Sequence, residues 1–148
     1  MLRIGGSNPN NLTLSSPFDD YAPAFSPDGQ SIAFRSEREG GGIFLMGATG
    51  ESVRRLTTVG FDPSWTPDGK QIVFAAEPAD LPYDRTTISS ISVVDVASGA
   101  VREIYAGDAM QPRWSPHGRR IVFWGSWMPS PAAATSQRSR REETSRCE

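Results

Sequence analysis

Apolar and polar residues alternate in short runs along this chain, and one arrangement of them recurs three times. Pro23–Phe34 reads Pro-Ala-Phe-Ser-Pro-Asp-Gly-Gln-Ser-Ile-Ala-Phe. Pro63–Phe74 reads Pro-Ser-Trp-Thr-Pro-Asp-Gly-Lys-Gln-Ile-Val-Phe, and Pro112–Phe123 reads Pro-Arg-Trp-Ser-Pro-His-Gly-Arg-Arg-Ile-Val-Phe. Eight of the twelve positions are identical or close in type, and the copies start 40 and 49 residues apart. The polar centre of each copy is a turn. Ser26 can bond back to the turn backbone, Pro27 presets φ, and Gly29 accepts the positive φ that follows. The aromatic residue before the turn and the Ile-x-Phe after it alternate as in half-buried strands. Each copy therefore predicts a β-hairpin with one apolar face.

The segments between the copies repeat as well. Ile43-Phe44-Leu45-Met46 predicts a third strand, Ala48-Thr49-Gly50 a turn, and Val53–Thr57 a fourth strand. In the next unit Ile91–Val96, Ala97-Ser98-Gly99 and Val101–Ile104 take those places. The longer spacing of the second unit comes from a Pro-, Asp- and Tyr-bearing insertion, Pro78 to about Thr87, expected as a surface loop. Four strands in each unit of about 40–50 residues predict the blades of a β-propeller. The fold class is therefore all-β, a partial propeller of four-stranded antiparallel blades. Residues 1–14 predict half a blade, with strands at Met1–Ile4 and Asn11–Thr13. Residues 21–58 and 61–106 predict two full blades, and residues 110–127 a further half. Two full and two half blades fall short of the four to eight that close a propeller. The chain thus reads as a fragment of a larger ring. Exposed apolar faces and self-association through the incomplete blades are expected.

Composition narrows the picture. Fourteen Gly and twelve Pro favour turns over helix bundles, and 37% hydrophobic residues suffice for a core. Fifteen basic against seventeen acidic residues give a net charge of −2, without the basic excess of a nucleic-acid binder. No apolar run approaches the roughly 18 residues of a membrane helix, so no membrane insertion is expected. Met1–Gly6 carries no apolar secretion stretch. A single cysteine, Cys147, excludes a disulfide framework. From residue 129 to 148 Pro, Ala, Ser, Arg and Glu dominate, which predicts a disordered tail. It falls where the last blade should build its outer strands.

The Ser-Pro-Asp-Gly hairpin, with Trp before it and Ile-Val-Phe or Ile-Ala-Phe after it, resembles the WD-like repeat of TolB-type β-propellers over about residues 1–127. The resemblance implies a periplasmic or extracytoplasmic, non-catalytic propeller that binds protein or peptide. It also admits the propeller that caps a prolyl-oligopeptidase-like peptidase, and the sensor part of bacterial membrane-anchored serine/threonine kinases. Residues 4–13 and 34–43 look most like the kinase-linked group. His117, where the other two turns carry Asp, departs from the pattern.

No catalytic arrangement stands out. The chain lacks a Gly-x-Ser-x-Gly elbow, a phosphate loop and the kinase signatures. His117 is the only histidine and reads as a turn residue rather than a metal ligand. Asp19-Asp20 reads as an acidic loop rather than a calcium site, and Gly40-Gly41-Gly42 as a hairpin loop rather than an anion cradle. No metal and no cofactor are expected. A binding surface is expected where the chain enters each innermost strand, on loops at the channel mouth. The candidate residues there are Asp20 and Tyr21, Phe61 and Asp62, and Met110 and Gln111. The expected partner is a protein, a peptide or a small ligand.

Overall fold

The computed structural model of the chain describes Met1, residues 8–77 and residues 89–125. The expected strand at residues 2–4, the insertion at 78–87 and the tail at 129–148 lie outside the described residues. Among the described residues ten strands run in chain order: β1 (Asp20–Phe25), β2 (Ser31–Ser36), β3 (Gly42–Gly47), β4 (Arg54–Arg55), β5 (Phe61–Trp65), β6 (Gln71–Ala76), β7 (Ser90–Asp95), β8 (Val101–Ala106), β9 (Ala109–Trp114) and β10 (Ile121–Gly125). They form two four-stranded antiparallel meanders, β1–β4 and β5–β8, and the hairpin β9–β10. Among the described residues, helix is confined to one short 3-10 turn, Arg38–Gly40.

The three turns fold alike because the tetrapeptide satisfies its own backbone. Gly29, Gly69 and Gly118 sit at φ of +70°, +70° and +68°, where a side chain would be strained. The Ser26 hydroxyl accepts from the Ser31 N–H at 2.9 Å and donates to Asp28, whose Oδ1 also accepts from the Gln30 N–H at 3.0 Å. Thr66 and Asp68 repeat the pattern, the Asp68 carboxylate accepting from Thr66 Oγ1 at 2.6 Å and the Lys70 N–H at 3.1 Å. In the third turn Ser115 still accepts from the Arg120 N–H at 3.2 Å, without a carboxylate beside it.

Those bonds favour the charged carboxylates. The Ser26 hydroxyl, then the Gln30 N–H, hold Asp28 below the usual range, and Thr66 and the Lys70 N–H do so for Asp68. A carboxyl whose pKa is depressed on folding stabilises the fold above its unfolded pKa of about 3.9, and that gain is lost as pH falls through the folded value. The melting temperature should therefore drop below about pH 4. The Asp28→Asn/Asp68→Asn double variant should show a shallower drop in an acid melting series. Glu51 and Asp95, held low by Thr49 and by Ser98, maintain part of the slope.

Each strand of a meander shows one set of side chains to the unit before it and the alternate set to the unit after it. Register places Ile32 opposite Met46 and Phe34 opposite Phe44, as it places Ile72 opposite Val94 and Phe74 opposite Ser92. Ile72, Phe74 and Val94 pack back onto Ala33, Ile43, Leu45 and Leu56 of the first meander. Val73, Ala75, Ile91 and Val93 pack forward onto Ala109, Trp114 and Ile121. Every unit therefore has a leading face built on Ile and Phe, and a trailing face built on Ala or Val. On the leading face of the first meander Ile32, Phe34, Phe44 and Met46 are covered by Leu12.

Two local expectations are corrected. Asn11–Thr13 is no strand but the start of a turn. The Asn11 side chain accepts from the Thr13 N–H at 3.0 Å, and the Ser16 N–H closes onto the Thr13 carbonyl at 2.9 Å. That side chain offers the backbone a local partner in place of a ladder. Val53–Thr57 pairs as a strand only at Arg54–Arg55, because the N–H groups of Leu56 and Thr57 both turn to the Ile43 carbonyl.

Candidate functional site on the channel-side strands

β1, β5 and β9 lie against their neighbours in sequence and form the common inner edge of the three units. Two contacts between units fix their spacing. The Trp65 indole donates to the Ala24 carbonyl at 3.0 Å, and the Trp114 N–H to Ser64 Oγ at 3.3 Å. The Trp114 indole N–H is buried and, among the described residues, without a partner.

Each inner strand is bulged at one place. Pairing slips between Tyr21 and Ala24, between Phe61 and Ser64, and opposite Val122–Trp124 in β9. In each case the residue before the proline takes a left-handed conformation: Ala22 at φ +47°, Asp62 at +52° and Gln111 at +52°. Non-glycine residues rarely adopt it, and the following proline restricts them further. The bulge re-aims the residue just before it.

The candidate residues thus sit within strands rather than on loops, since each strand begins earlier than the proline suggests. Their equivalence also shifts. Tyr21, Phe61 and Met110 occupy one repeat position, all three exposed, while Ala22, Asp62 and Gln111 occupy the next. Asp20 stands one residue earlier, in the place of Gly60 and Ala109. Its carboxylate accepts from Arg38 Nη2 at 3.1 Å, and Arg38 also donates to Ser16 at 2.8 Å, so Asp20 ties the entry segment to the 3-10 turn. Partial desolvation, then the Asp19 carboxylate 3.2 Å away, raise the pKa of the Tyr21 phenol.

Two arginines escaped the sequence reading. Arg35 is buried in β2, donates to the Gly60 carbonyl at 3.3 Å and to Glu37 at 2.8 Å, and holds its guanidinium 4.5 Å from the centre of the Phe61 ring. It fixes Phe61 from the neighbouring unit. The signal was a charge directly after Ile-Ala-Phe, where the other units have Ala75 and Trp124. Arg113 reaches the Asp62 carbonyl at 3.4 Å and joins Gln111, Val122, Phe123 and Trp124 around a groove of about 220 Å³. Among the described residues no three His, Cys, Asp or Glu side chains gather to hold a metal, and no helix is long and apolar enough to cross a membrane.

Antiparallel meanders stacked face to face, with their first strands lining one edge, define a segment of a β-propeller. A family profile described as the TolB beta propeller domain matches residues 11–141, and the chain belongs to that family. It is 28% identical over 137 residues to the uncharacterized peptidase YuxL of Bacillus subtilis, a match covering 68% of this chain and 21% of that protein. It is 34% identical over 165 residues to the Tol-Pal system protein TolB of Bordetella pertussis, covering 78% of this chain and 36% of that one. The solved structure of a putative TolB from Agrobacterium tumefaciens superposes with a TM-score of 0.62 at 28% identity, over 71% of this chain and 38% of that one. The chain thus spans between about a fifth and two fifths of the length of these relatives.

Proposed function

We propose that this chain belongs to a non-catalytic propeller that binds an extended protein segment or peptide along its channel side. The observation behind this reading is the threefold row of exposed Tyr21, Phe61 and Met110 on the inner strands, each followed by a strained bulge residue. Strained backbone is retained where a side chain must be aimed, and exposed aromatic groups beside polar ones are the usual anchors of recognition. Asp62, Gln111 and Arg113 supply the polar partners. The TolB relatives support such a role and a location outside the cytoplasm. The likeness to YuxL supports a second reading, a propeller that screens substrates for a peptidase domain elsewhere in a longer polypeptide. None of the three relatives named above carries the kinase-linked reading.

The test selects displayed random dodecapeptides on the full chain and measures the winners against variants. Phe61→Ala should weaken binding by about tenfold or more, in the range of an aromatic anchor. Val101→Ser, on an outer strand, should leave it unchanged. Selected peptides that bind both variants as tightly as the parent chain would place recognition elsewhere.

A further inference from the structure

Charge is divided between the two ends of the units. The end where the chain enters the inner strands carries Asp19, Asp20, Glu37, Asp62 and Asp108, and the opposite, turn end carries Arg54, Lys70, Arg119 and Arg120. At the turn end the carboxylates of Asp28, Glu51, Asp68 and Asp95 are each bonded within their own turn. At the entry end two carboxylates are already matched, Asp20 by Arg38 at 3.1 Å and Glu37 by Arg35 at 2.8 Å. Arg55 and Arg113 donate to backbone carbonyls there. Asp19, Asp62 and Asp108 make no ion pair among the described residues. Each adjoins one member of the exposed row Tyr21, Phe61 and Met110. Asp19 accepts from the Tyr21 hydroxyl at 3.2 Å, Asp62 directly follows Phe61, and Asp108 stands two residues before Met110. Asp19 and Asp108 also share one repeat position, four residues before Pro23 and Pro112, and both are exposed.

From this arrangement we infer that the segment bound on the channel side is basic, with Lys or Arg beside its apolar residues. Apolar contacts interleaved with unmatched carboxylates disfavour an acidic ligand by like-charge repulsion and complement a cationic one. Lys and Arg suit both parts of the surface, because their stems are apolar and only their ends are charged. The stems lie along Tyr21, Phe61 and Met110, and the charged ends reach Asp19, Asp62 and Asp108. Arg113 does not reverse the preference, since its guanidinium is already occupied by the Asp62 and Pro112 carbonyls, at 3.4 and 2.9 Å. The inference rests on the channel-side reading above and adds to it the charge of the ligand.

Dodecapeptides selected on the full chain and released by Phe61→Ala should be rich in Lys and Arg, and poor in Asp and Glu, relative to the unselected library. A synthetic selected dodecapeptide should bind about fivefold more weakly once its basic residues are replaced by Gln. Asp19→Asn/Asp62→Asn should cost the parent peptide a similar factor, and the two losses should not add, because they remove opposite sides of one contact. Asn keeps an acceptor for the Tyr21 hydroxyl and tolerates the left-handed backbone at position 62. Circular dichroism like that of the parent chain establishes that the variant folds. Glu51→Gln/Glu103→Gln removes the same charge from a turn and an outer strand and should leave binding unchanged. Peptides released by Phe61→Ala that show no basic enrichment, or that bind Asp19→Asn/Asp62→Asn as tightly as the parent chain, overturn the inference and leave the channel-side reading standing. An equal loss in Glu51→Gln/Glu103→Gln assigns the preference to net charge and also overturns it. Peptides indifferent to Phe61→Ala remove the channel-side reading and the inference together.

Discussion

Phe74→Ala is expected to cost about 3–5 kcal/mol of unfolding free energy, the range for a fully buried aromatic ring cut to a methyl. Phe74 is wholly inaccessible and sits among Ile43, Leu45, Leu56 and Ile72 at the junction of the two meanders. Its removal leaves a cavity that two rigid sheets cannot collapse into. The repeat supplies a control at the same position. Phe123 is 39% exposed and touches Tyr105 with ring centres 4.8 Å apart. Phe123→Ala should therefore cost roughly 1 kcal/mol, mostly the aromatic pair. Urea unfolding at one protein concentration measures both. Similar losses at the two positions would mean that the junction around Phe74 is no better packed than the end of the chain. With typical stabilities of about 5–15 kcal/mol, the Phe74 variant could lose most of its folded population.

Gly42→Ala should destabilise the fold well beyond an ordinary surface substitution, although it adds only one methyl group. Gly42 opens β3 at φ +134°, and a Cβ built there would stand 2.0 Å from the Thr57 carbonyl oxygen. That oxygen belongs to backbone already held in place: Thr57 Oγ1 accepts from the Ile43 N–H at 3.0 Å and donates to the Val59 carbonyl at 2.6 Å. The side chain must push the Thr57 segment after β4 away or the backbone must leave its conformation, each costing about 1–3 kcal/mol. Gly29→Ala offers the contrast, since its φ is +70° and nothing lies within 4 Å of the added carbon. Only the conformational cost of about 1 kcal/mol remains there. Thermal melts of the two variants should separate clearly. Equal melting temperatures would show that the segment after β4 yields freely.

The parts of this fold that can be read from the residues are those that encode their own geometry. Ser-Pro-Asp-Gly and Thr-Pro-Asp-Gly close by bonds within five residues, so the hairpins and the alternation around them are visible without tertiary knowledge. Direction was also latent there: Ile-x-Phe always faces the preceding unit, although only the packed sheets reveal which side that is. The repeat places Tyr21, Phe61 and Met110 two residues before their prolines, but it does not show the backbone bulge that follows them. Ala22, Asp62 and Gln111 look like ordinary residues before proline, and a left-handed conformation there arises from the ladder on either side. Counting back from Pro23, Pro63 and Pro112 aligns Tyr21 with Phe61 and Met110, so pairing Asp20 with Tyr21 stood one position out of step in the residues themselves, while the bond from Arg38 to Asp20 shows only in the fold. Arg35 was hidden for a similar reason, since its role depends on Phe61, twenty-six residues later and in the next sheet. The segment at Asn11–Thr13 misled because Leu12 does pack as Leu56 does, while Asn11 diverts its backbone into a turn.

The interchangeable faces carry a consequence for how such chains change length over generations. Ser26–Gly29 and Thr66–Gly69 are nearly the same four residues in the same conformation, 40 residues apart. A recombination that joins one tetrapeptide to the other removes or inserts a whole unit. It leaves the turn hydrogen bonds, the strand register and both end faces as they were. A crossover placed within β2 or β3 would instead mismatch the two sides of a sheet. Genes of this architecture are thus free to grow or shrink in whole repeats, and the short turn is the natural place for the cut.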